Sequence, residues 1–163
     1  MSCLEKFGNL AIPQPLLDKC QSLTENPHAR IMRGISTWLH AATITVVEEL
    51  LEDTPLTPTE PLKNDFTSVQ VLSSNAQEMH RDEDLDVKYG ILLIIEAPFG
   101  AELIQSSGPN IPVIAGDIVR IRYRHNHGLL IKENEQLLFI AIDYYRERRT
   151  LDDEWRKHLV SIN

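Results

Sequence analysis

His80-Arg81-Asp82 sets a histidine and a carboxylate two residues apart, and a further imidazole follows 45 residues after the aspartate, in His125-Asn126-His127-Gly128. Two imidazoles and one carboxylate are the donors of a facial metal triad, which suits a ferrous ion and leaves coordination positions open for substrate or oxygen. The short spacing has a physical meaning on β structure. Residues i and i+2 of a strand share a face, so His80 and Asp82 aim at one point if the backbone there stays extended. H-x-D is a short motif, and the acidic stretch from His80 to Asp86 also reads as a solvated turn. The elements on either side must decide between the two.

Those elements are mostly short strands. Phe66 to Leu72 alternates in the manner of a strand, and Gly90-Ile-Leu-Leu-Ile-Ile95 is apolar on both faces, as a buried strand is. Turn chemistry recurs at Ser73-Ser-Asn75, Ala97 to Gly100, Ser106 to Pro109, Ala115-Gly-Asp117 and Glu133-Asn-Glu135, which is the rhythm of an all-β sandwich or barrel. The front of the chain reads differently. Pro13 and Pro15 precede a short helical segment, Leu16 to Leu23. Asn26-Pro27 is a helix-start signal, and from Ala29 to about Glu52 the residues Ile31, Ile35, Trp38, Leu39, Ala42, Val46 and Leu50 recur at helical intervals. Gly34 and the β-branched run Thr43 to Val47 weaken that helix, so a break or a short strand is the alternative within it. Pro55, Pro58 and Pro61 make 54–65 a connector. Thr150-Leu-Asp-Asp153 resembles a capping box and opens a short C-terminal helix. The expected organisation is one domain over 1–163: a helical front (1–53), the connector (54–65), a β core (66–149) and the terminal helix (150–163).

Over about residues 66 to 145 the order of these features resembles the double-stranded β-helix, or jelly-roll barrel, of the Fe(II)/2-oxoglutarate-dependent dioxygenases. Ser73 to Met79 resembles that family's polar approach to its H-x-D. Phe99-Gly-Ala-Glu-Leu-Ile104 is similar to its Gly-Gly-Glu-Leu hairpin with one glycine replaced by alanine. Ile114 to Val119 resembles its glycine-led strand, and His127-Gly128-Leu129 its His-Gly-Val. The resemblance implies a mainly β fold with flanking helices (α+β), in which the N-terminal helices pack on the larger sheet. It implies His80, Asp82 and His127 as Fe(II) ligands, with His125 the competitor for the distal position. It also implies 2-oxoglutarate as cosubstrate, decarboxylated to succinate while a C–H bond of a substrate is hydroxylated.

One departure bears on the cosubstrate. The family sets an Arg or Lys about ten residues beyond the distal histidine to hold the far carboxylate of 2-oxoglutarate, and here that stretch reads Asn134-Glu-Gln-Leu-Leu138. Lys132 comes earlier. Arg120, Arg122 and Arg124 alternate with Val119, Ile121 and Tyr123, so the arginines share one face of a strand. Turned inward, Arg120 and Arg122 would bind a carboxylate bidentately and replace the missing anchor; turned outward, they form a charged outer face.

Composition bounds the rest. The 163 residues are 42% hydrophobic and 25% charged, as in an ordinary globular domain. A net charge of −8 disfavours non-specific nucleic-acid binding, whose affinity comes largely from Lys and Arg neutralising phosphates. No apolar run is long enough to span a bilayer and the N-terminus lacks a secretory pattern, so a cytoplasmic location without membrane partners is expected. Cys3 and Cys20 form neither a metal spacing nor a disulfide framework. Two function classes stand at this point: an Fe(II) dioxygenase acting on an unidentified substrate, or a cupin-like or non-catalytic barrel serving as a binding module.

Overall fold

The structure, a computed structural model, describes residues 3–24, 30–31, 34–38, 41–52, 54, 62, 67–82 and 87–145. In chain order its elements are β1 (Leu4–Asn9), α1 (Gln14–Thr24), β2 (Arg30–Ile31), β3 (Gly34–Trp38), α2 (Ala41–Leu51), β4 (Thr67–Ser74), β5 (Gln77–His80) and β6 (Val87–Glu96). They continue with β7 (Glu102–Gln105), β8 (Ile111–Pro112), β9 (Asp117–Ile121), β10 (His127–Leu130) and β11 (Leu137–Tyr145).

From β4 onward the chain passes back and forth between two facing antiparallel sheets. The larger runs β1-β9-β6-β11-β4-β3-β2 and the smaller β5-β10-β7-β8. This interleaving is the double-stranded β-helix, with α1 and α2 on the outer face of the larger sheet.

The sequence pattern explains why there are two cores. β6 and β11 are apolar at nearly every position because both of their faces are buried. Leu92 and Ile94 of β6 and Leu137, Phe139 and Ala141 of β11 face Val119, Ile121, Leu103 and Leu129 between the sheets. The alternate residues Ile91, Leu93, Ile95, Leu138, Ile140 and Ile142 face the helices. There they meet Leu16, Cys20 and Leu23 of α1 and Val47 and Leu51 of α2, the i, i+4, i+7 stripes that a helix lays on a sheet.

The front of the chain departs from its expected form. In place of one helix from Ala29 to Glu52, residues 30–31 and 34–38 form the hairpin β2–β3, which extends the larger sheet beside β4. Trp38 therefore belongs to a strand, paired with Gln70, and the helix starts at Ala41. Gly34 opens β3, and the β-branched Ile31, Ile35 and Thr37 suit the hairpin. The β-branched run 43–47 is helical nonetheless, because burial of Val47 and Leu51 on the sheet outweighs its modest helix propensity. Strand β1 was not foreseen. It pairs antiparallel with β9, with a bulge between Lys6 and Gly8. The Asn26-Pro27 helix start, Leu39, most of the connector 54–65 and the C-terminal helix 150–163 lie outside the described residues. No helix among the described residues is long and apolar enough to cross a membrane.

Candidate metal centre

His80 is the last residue of β5 and His127 the first of β10, and the two are direct partners across the smaller sheet. Side chains of directly opposed residues leave a sheet on the same face, so this register alone brings the imidazoles together, with ring centroids 4.5 Å apart. Gly128 permits it. A Cβ there would lie 2.7 Å from the Gln77 carbonyl oxygen and 3.0 Å from that of Glu78, so any side chain would force β5 and β10 apart just beside the histidine pair.

Asp82 leaves the end of β5, and its backbone N–H donates to the Tyr123 carbonyl at 2.9 Å. This strap returns its carboxylate to the histidines. Asp82 Oδ2 lies 3.0 Å from His127 Nε2, and Oδ1 lies 3.7 Å from His80 Nε2. One donor atom from each of His80, Asp82 and His127 falls within 4.8 Å of the others.

The second nitrogen of each ring fixes how the first is presented. His80 Nδ1 is 2.7 Å from the Glu78 carbonyl and His127 Nδ1 is 2.7 Å from the His125 carbonyl. A carbonyl oxygen only accepts, so both Nδ1 atoms carry hydrogens by assignment from these contacts, and each Nε2 points at the shared space. Metal-binding histidines are oriented in this way. Burial by itself lowers the pKa of His127. The Asp82 hydrogen bond, then those of Cys3 and the His125 carbonyl, then the Asp82 charge, outweigh burial and push it up to about 9. Any ion bound at His127 Nε2 would have to displace that proton. Two imidazole nitrogens and one carboxylate, pre-oriented on strand ends, fit a divalent ion such as Fe(II).

His125 is exposed in the turn before β10; it serves the group through its carbonyl, and its ring is not among the converging donors. Arg120 and Arg122 do not join the centre. Arg120 on β9 and Arg122 just past its end lie on the side opposite Val119 and Ile121, where Arg120 Nη2 and Arg122 Nη1 reach the same Glu5 oxygen on β1 at 3.1 and 3.2 Å and the Arg120 guanidinium sits over the Phe7 ring. The reason is the alternation itself: Val119 and Ile121 fill the space between the sheets, which turns the arginines outward. The expectation that they anchor a cosubstrate is corrected accordingly. Lys132 is exposed, five residues beyond His127 and about 16 Å along an extended chain.

Residues that sequence reasoning did not single out surround the triad. Tyr123 and His127 make a T-shaped pair, with ring centroids 5.9 Å apart, and the Tyr123 hydroxyl donates to Asp143 Oδ1 at 2.6 Å. Tyr123 lies two residues past the end of β9, packed against the core between the sheets on the side that the alternation with Val119 and Ile121 continues. Cys3, buried immediately before β1, donates its thiol to the Arg122 carbonyl at 3.2 Å, while the Arg122 N–H donates to the Cys3 carbonyl. Nothing in the pattern around Cys3 signals this. Gln105, opposite His127 on β7, accepts the Leu4 N–H and donates to the Pro109 carbonyl. These bonds tie β1 and the 105–109 loop to the turn that delivers His127.

No protein-family model matches the sequence, and no curated protein matches it. Solved structures do. An oxidoreductase of the 2OG-Fe(II) oxygenase family from Burkholderia pseudomallei is similar at a TM-score of 0.61 and 13% identity, over 91% of this chain and 86% of that one. A prolyl-4-hydroxylase from Pseudomonas putida is similar at 0.58 and 10% identity, over 89% and 93%. At these identities the likeness is one of fold. The chain has the double-stranded β-helix architecture found in 2OG-Fe(II) oxygenases.

Proposed function

We propose that this chain is a mononuclear Fe(II)-dependent oxygenase. The observation that carries the reading is the convergence of His80, Asp82 and His127 with both Nδ1 atoms already bound to backbone carbonyls. His80 and His127 would supply neutral nitrogen donors and Asp82 the carboxylate. The ion, when bound, supplies the position at which dioxygen is activated toward a substrate C–H bond. The chain's own part is to hold the donors in place and to keep water out. Leu103 and Leu129 flank His127 on the smaller sheet and belong to the apolar core between the sheets, which leaves that side of the site dry.

The similarity in fold supports 2-oxoglutarate as the cosubstrate. The inner face of β11 favours a second reading. Leu137, Phe139 and Ala141, on the strand where the family sets its base, are packed into the apolar core. A barrel so lined takes a metal without 2-oxoglutarate, as a cupin-like enzyme or a binding module does.

Anaerobic titration with Fe(II) tests the metal, and oxygen uptake with succinate release tests the cosubstrate. Uptake of one Fe(II) with 2-oxoglutarate-dependent succinate release supports the first reading. Fe(II) uptake without any response to 2-oxoglutarate supports the second. No uptake of Fe(II), Mn(II) or Co(II) overturns the oxygenase assignment.

A further inference from the structure

Tyr123 touches the candidate metal centre in two ways at once. Its carbonyl accepts the N–H of Asp82 at 2.9 Å, and its ring packs on the imidazole of His127 in a T-shaped pair, 69° between planes. Two of the three donors, 45 residues apart in sequence, therefore rest on one residue that is not itself a donor.

Tyr123 is in turn held from behind. Its hydroxyl donates to Asp143 on β11 at 2.6 Å, the short distance of a charge-assisted bond. An aspartate carboxylate oxygen only accepts, so the bond runs from the tyrosine hydroxyl to Asp143. Gly90 on β6 supplies the room. A Cβ at that position would lie 2.7 Å from Tyr123 Cε2, 2.7 Å from its hydroxyl and 2.8 Å from Asp143 Oδ1. β6 stands between β9 and β11 in the sheet, and Asp143 and Gly90 are direct partners in it. Gly90 and Asp143 thus form a slot for the phenol, and the phenol ring held there meets His127 at a fixed angle.

We propose that Tyr123, locked by Asp143 in the slot over Gly90, is a positioning residue for the metal site, setting the His127 ring plane and the Asp82 backbone. This rests on the metal reading above, but its geometry exists without an ion and is testable without one. Partners behind metal ligands are worth about 10–100-fold in metal affinity when removed.

The test is a set of four variants, Tyr123→Phe, Asp143→Ala, Asp143→Asn and Gly90→Ala, read in two ways. The first readout is the imidazole NMR signals of His127 in metal-free protein; the second is Co(II) affinity with its visible absorption spectrum. Chemical denaturation of each variant serves as the control for folding. Tyr123→Phe keeps the ring and loses the bond, so the His127 signals shift and Co(II) binding weakens about tenfold. Asp143→Ala does the same, whereas Asp143→Asn, which keeps an acceptor oxygen, restores most of the wild-type signal and affinity. Gly90→Ala displaces the ring and shifts His127 the furthest.

If folded Tyr123→Phe and Asp143→Ala proteins both retain wild-type His127 signals, the proposal is overturned, whatever the metal does. If wild type binds none of Fe(II), Mn(II) and Co(II) but the His127 signals still follow the variants as described, the oxygenase reading fails while the positioning of His127 by Tyr123 stands. If Asp143→Asn behaves like Asp143→Ala, the directed hydrogen bond is not the lock and the proposal is overturned in that form.

Discussion

His127 Nε2 lies 3.0 Å from Asp82 Oδ2, and nothing local in the chain brings the two together. The contact exists because β10 pairs with β5 in the one register that opposes His127 to His80, while the Tyr123 carbonyl turns the chain after β5 back toward the pair. His80→Ala and Asp82→Ala should each abolish uptake of one Fe(II) per chain, since two remaining donors make an incomplete site. Anaerobic calorimetry measures this directly. Uptake persisting in both variants would place the ion elsewhere.

Metal affinity should depend steeply on pH. With the His127 pKa raised from 6.5 to about 9, the imidazole is protonated at neutral pH, and an ion must displace that proton. Affinity therefore rises about tenfold per pH unit up to about pH 9, with close to one proton released per ion bound at pH 7. Titration in buffers of different ionisation enthalpy counts the proton. The metal-free fold shows the opposite slope: a pKa raised on folding contributes stability that is complete below pH 6.5 and lost as pH rises through 9. Urea midpoints across that window, taken with a chelator present, check the sign.

Arg120→Met and Arg122→Met should leave any binding of 2-oxoglutarate within about twofold of wild type in the presence of Mn(II). Both guanidiniums reach Glu5 on the outer face of β9, across the sheet from the Val119 side. The cost falls on that exposed cluster and is small, as for partly solvated ion pairs generally. A tenfold loss of cosubstrate affinity in either variant would contradict this placement.

Ile140→Ala should destabilise by about 2–5 kcal/mol, because Ile140 is fully buried on β11 between the larger sheet and the helices and its removal leaves a cavity. Leu130→Ala, at a half-exposed position on β10, should stay within about 0.5 kcal/mol of wild type. Equal effects in denaturant titrations would mean that the two faces of the barrel are misassigned.

The barrel and the triad were legible for a common reason. Strands buried on both faces write long apolar runs, and donors brought together from a strand end write i, i+2 spacings, so residues 90–95 and 80–82 each carried their geometry in local order. The hairpin β2–β3 was not legible as such, because Ile31, Ile35 and Trp38 satisfy a helical period as well as a strand lying beside β4. The outward turn of Arg120 and Arg122 was left open by the alternation, which gives two faces without saying which is inner; Glu5, 115 residues before Arg120, settles it. Tyr123 was visible only as an apolar-side residue, since its part depends on Gly90 and Asp143 from two other strands. Cys3 depends on a strand whose six residues carry no periodic signal.

Strand β1 has a consequence for the rim of the larger sheet. Without it, β9 would present a row of unpaired backbone groups flanked by Ile118, Val119 and Ile121, the kind of open border onto which other chains add in aggregation. β1 covers that border and is itself a poor template, being bent by the bulge at Lys6 and Gly8 and carrying Glu5 and Lys6. Cutting the chain back past Asn9 would therefore do more than loosen Cys3 and Leu4 from the site. It would convert a guarded sheet into a self-associating one, and loss of soluble protein would precede any loss that a metal titration could register.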